Sequence, residues 1–316
     1  TGADITEDIL NFPILVRLTD SIFNFSQTLA GGEDIIFTNS NGKALPYEIE
    51  LWDKENGNAV LWVRTDTIYG DDSTQHIIMY WGNESATRQT NSIAVFDTSD
   101  SIAGVWHLCN NSQDASTAGN NGTVCSAGDT TGIIGLCKKF NGNDSILIPG
   151  LLGSPETVTL SAWAKLDSSV ALGGGEILSI GDAVLARMDY DDNGLGTGGA
   201  IHKSDTSNFN HLGSGRFLKH TGWHLVTFTF NGSTFTSTIF IDGIAAGSRN
   251  DPDIPISYSD VGLNTYIGKH ANGKKKFGFF GCIDEVRVYS EVKSPDYIKL
   301  CYMNQRTDDR LVIFKK

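Results

Sequence analysis

The strongest constraint on this chain is a two-residue rhythm of apolar and polar side chains that almost never lengthens into a helical one. Tyr47-Glu48-Ile49-Glu50-Leu51-Trp52 shows it cleanly. Apolar and charged residues alternate there, as in a strand with one wet face. The runs Phe12 to Thr19, Ile35 to Thr38, Val60 to Arg64 and His76 to Trp81 are rich in β-branched and aromatic residues. Turn formers separate them at Asn39-Ser40-Asn41-Gly42, Asn56-Gly57-Asn58 and Asp71-Asp72-Ser73. This spacing predicts a small antiparallel sandwich over residues 1–100, with Trp52, Trp62 and Trp81 on one buried face.

A polar stretch over 82–104 precedes a second set of strand signals that starts at Val105-Trp106-His107-Leu108. Further strands are expected at 137–140, 145–148, 158–164, 176–180, 184–189, 223–230, 236–242, 265–267 and 282–289. So many short strands predict a two-sheet jelly roll over 104–316. Only Ser294 to Leu300 reads as helix, one or two turns long, with Ser294 as N-cap and Pro295 at the first position. The predicted fold class is all-β in two units: an N-terminal small antiparallel β-sandwich, then a jelly roll.

Composition narrows the function classes. With 40% hydrophobic residues, the chain of 316 has ample material for a core, and its 35 glycines supply turns. The net charge of −13 argues against a nucleic-acid partner, whose phosphates need clustered cations. The basic run Lys274-Lys275-Lys276 lies between glycines and reads as a solvated loop tip. No segment has the roughly 18 successive apolar residues of a membrane-spanning helix. Thr1-Gly2-Ala3-Asp4 is not a signal peptide, so an excised segment or mature form is expected. The cysteines are Cys109, Cys125, Cys137, Cys282 and Cys301. They lack metal-site spacing; Cys125 and Cys137 flank a Gly-containing turn and either bridge a hairpin or remain buried thiols.

Ordered motifs then carry a resemblance. They are Val105-Trp106-His107-Leu108, the loop 114–123, Phe140-Asn141-Gly142-Asn143-Asp144, Thr159-Leu160-Ser161-Ala162-Trp163, Gly222-Trp223-His224-Leu225-Val226, Ile239-Phe240-Ile241-Asp242-Gly243 and Gly281-Cys282-Ile283-Asp284-Glu285-Val286-Arg287-Val288-Tyr289. In this order they resemble the laminin-G-like, concanavalin A-like jelly rolls of bacterial surface proteins and polysaccharide-acting enzymes. The first unit is similar to a domain of uncharacterised function that often precedes such modules. The matching residues are Phe12 to Leu18, Asp34 to Thr38, Pro46 to Glu50, Trp62-Val63 and Met79 to Asn83. The resemblance implies a secreted or cell-surface location, polysaccharide or glycan as partner, other surface proteins as further partners, and a structural Ca2+. Asp114, Asn120 and Asp284 are its expected ligands, the hard oxygen donors that calcium prefers.

Catalysis requires two carboxyls facing one sugar at short range. The second unit has only Glu156, Glu176, Glu285 and Glu291, none in the E-x-D-x-x-E spacing of laminarinase-type enzymes. Asp284 and Glu285 are adjacent, so on a regular strand they point to opposite faces. Asp189-Tyr190-Asp191-Asp192-Asn193-Gly194 begins like a calcium loop, but position twelve is Ala200; an Asn-Gly turn accounts for it. For ligand binding, the polar segment from His202 through Phe209 to His211 reads as a loop that carries a ring and two imidazoles suited to a sugar. Trp163 and Trp223 sit inside strand runs and read as core. The expected function is a non-catalytic carbohydrate-binding module pair. A protein–protein adhesion module and a diverged glycosidase are the alternatives.

Overall fold

We describe a computed structural model covering residues 4–87, 90–169, 173–203, 209–271, 277–309 and 311–315. Lys274, Lys275 and Lys276 and the middle of the 202–211 segment lie outside these residues.

The first β unit has a two-stranded ribbon of Ile9–Leu10 and Thr67–Ile68 and two small sheets face to face. One orders Pro13–Thr19, Asn58–Arg64 and Tyr47–Asp53, with Leu15 opposite Trp62; the other orders Ala44–Leu45, Ile36–Asn39 and Ile77–Tyr80. Val16, Phe23, Phe25, Phe37, Leu61 and Val63 fill the space between them. The unbroken apolar run Val60-Leu61-Trp62-Val63 has a simple cause, since a strand covered on both faces needs no polar side. Leu61 and Val63 face the unit's own core, whereas Val60 and Trp62 face the second unit. The three tryptophans therefore do not share a face: Trp62 is buried, Trp52 is half-buried and Trp81 is 42% exposed.

The second unit is a two-sheet jelly roll. Its seven-stranded sheet orders Thr123–Cys125, Ser145–Pro149, Asn264–Ile267, Gly175–Ile180, Val184–Tyr190, Gly196–His202 and Phe209–Gly213. The facing sheet orders Gly128–Thr131, Leu136–Asn141, Phe280–Tyr289, Val158–Ser168, His224–Asn231, Thr236–Ile241 and Ile244–Asn250, with Ile102–Trp106 joined to Phe280–Tyr289. All these pairings are antiparallel, and Ile146, Leu160, Ala186, Phe228, Phe279 and Ile283 lie between the sheets.

The helix Pro295–Gln305 runs longer than the sequence signal, and Ser294 caps it by accepting from the Tyr297 amide. It is wedged between the units. Asn304 mimics a strand edge for Leu15, accepting its N–H at 2.7 Å and donating to its carbonyl at 3.1 Å. Gln305 accepts from the Trp163 indole at 2.8 Å, and Tyr302 stacks on the same ring at 5.7 Å. Phe12, Trp62, Phe96, Val105, Trp163, Tyr289 and Leu300 form one buried cluster that crosses from unit to unit. Among the described residues no helix is long and apolar enough to cross a membrane.

Three local expectations change. Phe209–Gly213 is a strand, with Phe209 opposite His202 and His211 opposite Ala200. Cys125 and Cys137 do not bridge a hairpin: they lie in different sheets, because the hairpin strand starts at Gly128 and places Thr130 opposite Cys137. A bulge between Asp284 and Arg287, with Glu285 at φ +49°, breaks the alternation. Asp284 and Glu285 thus both lie off the inter-sheet core, while Ile283 and Val286 enter it.

Candidate functional site

Strand alternation builds a second, polar face on the seven-stranded sheet. Ile177, Val184, Ala186, Met188, Ile201 and Leu212 point into the core. Their neighbours Glu176, Leu185, Arg187, Ala200, His202, Phe209 and His211 therefore point the other way. Register makes Glu176 the direct partner of Arg187 and leaves Gly198 on the other side of Arg187, where no side chain crowds it.

At the base of this face is a buried ion group. Arg187 donates to Glu176 Oε2 at 2.7 Å through Nη2 and at 3.2 Å through Nε. His270 Nδ1 stands 2.9 Å from Glu176 Oε1 and 3.1 Å from Asp182 Oδ1. Burial alone would raise the Glu176 carboxyl; Arg187 and His270 outweigh it and hold the group below its ordinary value. Asp182 moves the other way, raised mainly by burial.

Above this base runs a row of rings. The Arg187 guanidinium lies 3.8 Å from the Phe277 ring centroid and 4.7 Å from that of Tyr190. Tyr190 meets His211 at 5.0 Å, His211 meets Phe209 at 5.7 Å, and Phe209 meets His202 at 5.5 Å. Phe277 is buried, but Tyr190, His211, Phe209 and His202 keep partly open surfaces. A small cleft at their edge is lined by Leu185, Arg187, Tyr190, Leu195, Gly198 and His211. Burial, then the Arg187 charge, pushes His211 down to about 4. Its imidazole is accordingly neutral near pH 7, with one donor and one acceptor nitrogen. Apolar ring faces beside the neutral His211 imidazole suit the C–H face and hydroxyls of an uncharged sugar.

His202, Phe209 and His211 are thus brought together, on paired strands instead of a loop. Sequence reading missed Arg187, Tyr190, His270 and Phe277, which only sheet register and the 268–279 connection place beside them. The expected calcium ligands fare differently. Asp114 and Asn120 share a loop, but the Asp114 carboxylate is used to fold it: Oδ1 accepts from the Val105 and Ser116 amides and Oδ2 from the Asn120 amide. Asn120 in turn donates to the Ala103 carbonyl. Asp284 is held elsewhere, with Oδ2 accepting from the Ile133 and Ile134 amides. Asp189 likewise anchors the Leu218 and Lys219 amides, and Asn193 and Gly194, both at positive φ, turn the chain.

Two facing antiparallel sheets of this size and order define a jelly roll of the lectin type. The chain belongs to the concanavalin A-like lectin/glucanase superfamily, whose family profile matches residues 140–299. Residues 31–116 match a domain of unknown function, DUF2341. A search of curated proteins gave no match. Among solved structures, domain 4 of AbnA, an extracellular GH43 arabinanase from Geobacillus stearothermophilus in complex with arabinotriose, is similar at 16% identity and a TM-score of 0.50. It aligns over 63% of this chain and 96% of its own. The binding domain of Paraclostridial Mosquitocidal Protein 1 aligns at 14% identity and a TM-score of 0.51, over 65% of this chain and 52% of its own. The botulinum neurotoxin serotype D binding domain aligns at 19% identity and a TM-score of 0.42, over 65% and 52%.

Proposed function

We propose that this chain is a non-catalytic glycan-binding module of a secreted or cell-surface protein, and that it takes neutral oligosaccharides on the outer face of its seven-stranded sheet. One observation carries this reading: Tyr190, Phe209, His211 and His202 form a contiguous, partly open row of rings over a base whose charges are already paired. Arg187 is 3% exposed and engaged by Glu176, so it serves to hold the rings and does not offer a cation to an acidic sugar. Glu176, Asp284 and Glu285 are all buried, a poor placement for carboxyls that must reach a substrate. Calcium has less support, since the Asp114 oxygens are occupied by backbone amides.

Arabino-oligosaccharides are a natural first probe, because the arabinanase domain of similar fold was solved with arabinotriose. Titration calorimetry against a panel of neutral and acidic oligosaccharides should find binding to a neutral one. Phe209→Ala and His211→Ala should each weaken that binding about tenfold or more, as expected from losing roughly 1.4 kcal/mol of contact. Binding that survives both substitutions unchanged, or that favours only acidic glycans, would refute the assignment.

A further inference from the structure

A second polar group lies where the two β units meet, on the far side of the jelly roll's eight-stranded sheet. His107 Nδ1 stands 2.7 Å from Glu285 Oε1 and 3.7 Å from Glu50 Oε2, so one imidazole and two carboxylates from three separate segments face a common point. All three side chains are nearly or fully buried: Glu50 is 2% exposed, His107 10% and Glu285 0%.

Their surroundings orient them as a metal shell does. The Trp62 indole donates to Glu50 Oε2 at 2.8 Å, and Arg287 Nη2 donates to Glu285 Oε2 at 2.9 Å. The His107 ring is stacked on Trp62 at 5.7 Å and 20°. Its other nitrogen, Nε2, faces Glu48 Oε2 at 3.4 Å. This carboxylate–imidazole arrangement fixes the tautomer of a metal-bound histidine in many sites.

Several atoms in the group lack partners. Glu50 Oε1, Glu48 Oε2, Asp284 Oδ1 and His107 Nε2 are buried without a hydrogen bond. Four carboxylates, from Glu48, Glu50, Asp284 and Glu285, are opposed here by Arg287 and His107, with Arg17 contributing from farther off. Arg287 Nε and Nη1 are open as well, and a buried carboxylate in excess of its cations is offset either by a proton or by a metal ion. The other His–carboxylate group also leaves Asp182 Oδ2 and His270 Nε2 open, but it holds two carboxylates instead of four, and both Glu176 oxygens are engaged, by Arg187 and His270.

We propose that Glu50, His107 and Glu285 bind a divalent transition-metal cation of the zinc class, which joins the two β units. A nitrogen ligand with carboxylate oxygens suits zinc, whereas calcium takes six to eight oxygens. Binding displaces the proton shared by His107 and Glu285, and Glu48 then accepts from His107 Nε2.

The test uses the untagged full chain, stripped with chelator and titrated with ZnCl2 by calorimetry. An anomalous difference map at the zinc edge then locates the ion. One zinc per chain and a peak between Glu50, His107 and Glu285 are expected. Glu50→Gln, which keeps an acceptor for Trp62, should weaken binding at least tenfold. Glu48→Gln should weaken it about 10- to 100-fold through the imidazole. No retained zinc, or a peak only at Glu176, Asp182 and His270 or on the surface, overturns the proposal. If Glu50→Gln fails to fold, the map of the native chain decides alone.

Discussion

Replacing Phe12 by alanine separates one cooperative molecule from two tethered ones. Phe12 is 0% exposed and belongs to the first unit, yet its ring packs edge-on against Tyr297 of the C-terminal helix at 5.3 Å. Truncating a buried phenylalanine costs about 3–5 kcal/mol. If the whole chain of 316 residues melts together, its unfolding entropy is about 0.7 kcal/mol/K at roughly 2.1 cal/mol/K per residue. The melting temperature should then drop by about 5–7 °C, as a single calorimetric peak. A first unit of roughly a hundred residues melting alone has an entropy of about 0.2 kcal/mol/K, so its own peak would fall by about 15–25 °C while the other stayed in place. Differential scanning calorimetry of the native and Phe12→Ala chains distinguishes these outcomes. Two peaks, with only the smaller displaced, would refute the reading of the interface as shared core.

Two further predictions concern the ring-bearing face. Arg187→Met should destabilise the protein by about 3–5 kcal/mol in urea titration, because it leaves the Glu176 carboxylate buried with only His270 beside it. Adding Glu176→Gln should recover part of that loss, and equal stability of the single and double variants would count against the ion-pair account. His211, held down to about 4 by burial and Arg187, stabilises the fold in its neutral form. That contribution is complete above the ordinary value of 6.5 and is lost as pH falls toward 4, since the unfolded chain then binds the proton more readily. Urea midpoints should therefore decline less for His211→Asn than for the native chain across this window, and parallel declines would contradict it.

Much of this architecture was legible because strand alternation is a local property. Tyr47–Asp53 and Asn58–Arg64 fall where their patterns put them. The Ser294 cap marks where the helix begins, but its length comes from Asn304 binding Leu15 of the first unit and Gln305 binding Trp163 of the second, which local sequence does not record. Alternation also says that a face is polar without saying what covers it. Glu48 and Glu50 read as the wet side of a strand, yet their neighbours are His107, Glu285 and Trp62. The candidate site shows the same limit. His202, Phe209 and His211 stood out by residue type, whereas Arg187 was hidden inside an ordinary strand run, Tyr190 read as part of the turn after it, and His270 lies far along the chain. The bulge at Glu285 left no mark at all, since no glycine occupies its positive φ.

The wedge made by the last helix has a consequence during synthesis. Leu15 obtains its hydrogen-bonding partner from Asn304, and the central strand Phe280–Tyr289 enters the eight-stranded sheet after all its other strands have been made. At about 5–20 residues per second, a ribosome needs roughly 15–60 s to travel from one end of that contact to the other. Throughout that interval Phe12 lacks its Tyr297 contact and Leu15 lacks Asn304. The interface between the units is therefore completed only when the C-terminal helix emerges, so the first unit is finished last although it is made first.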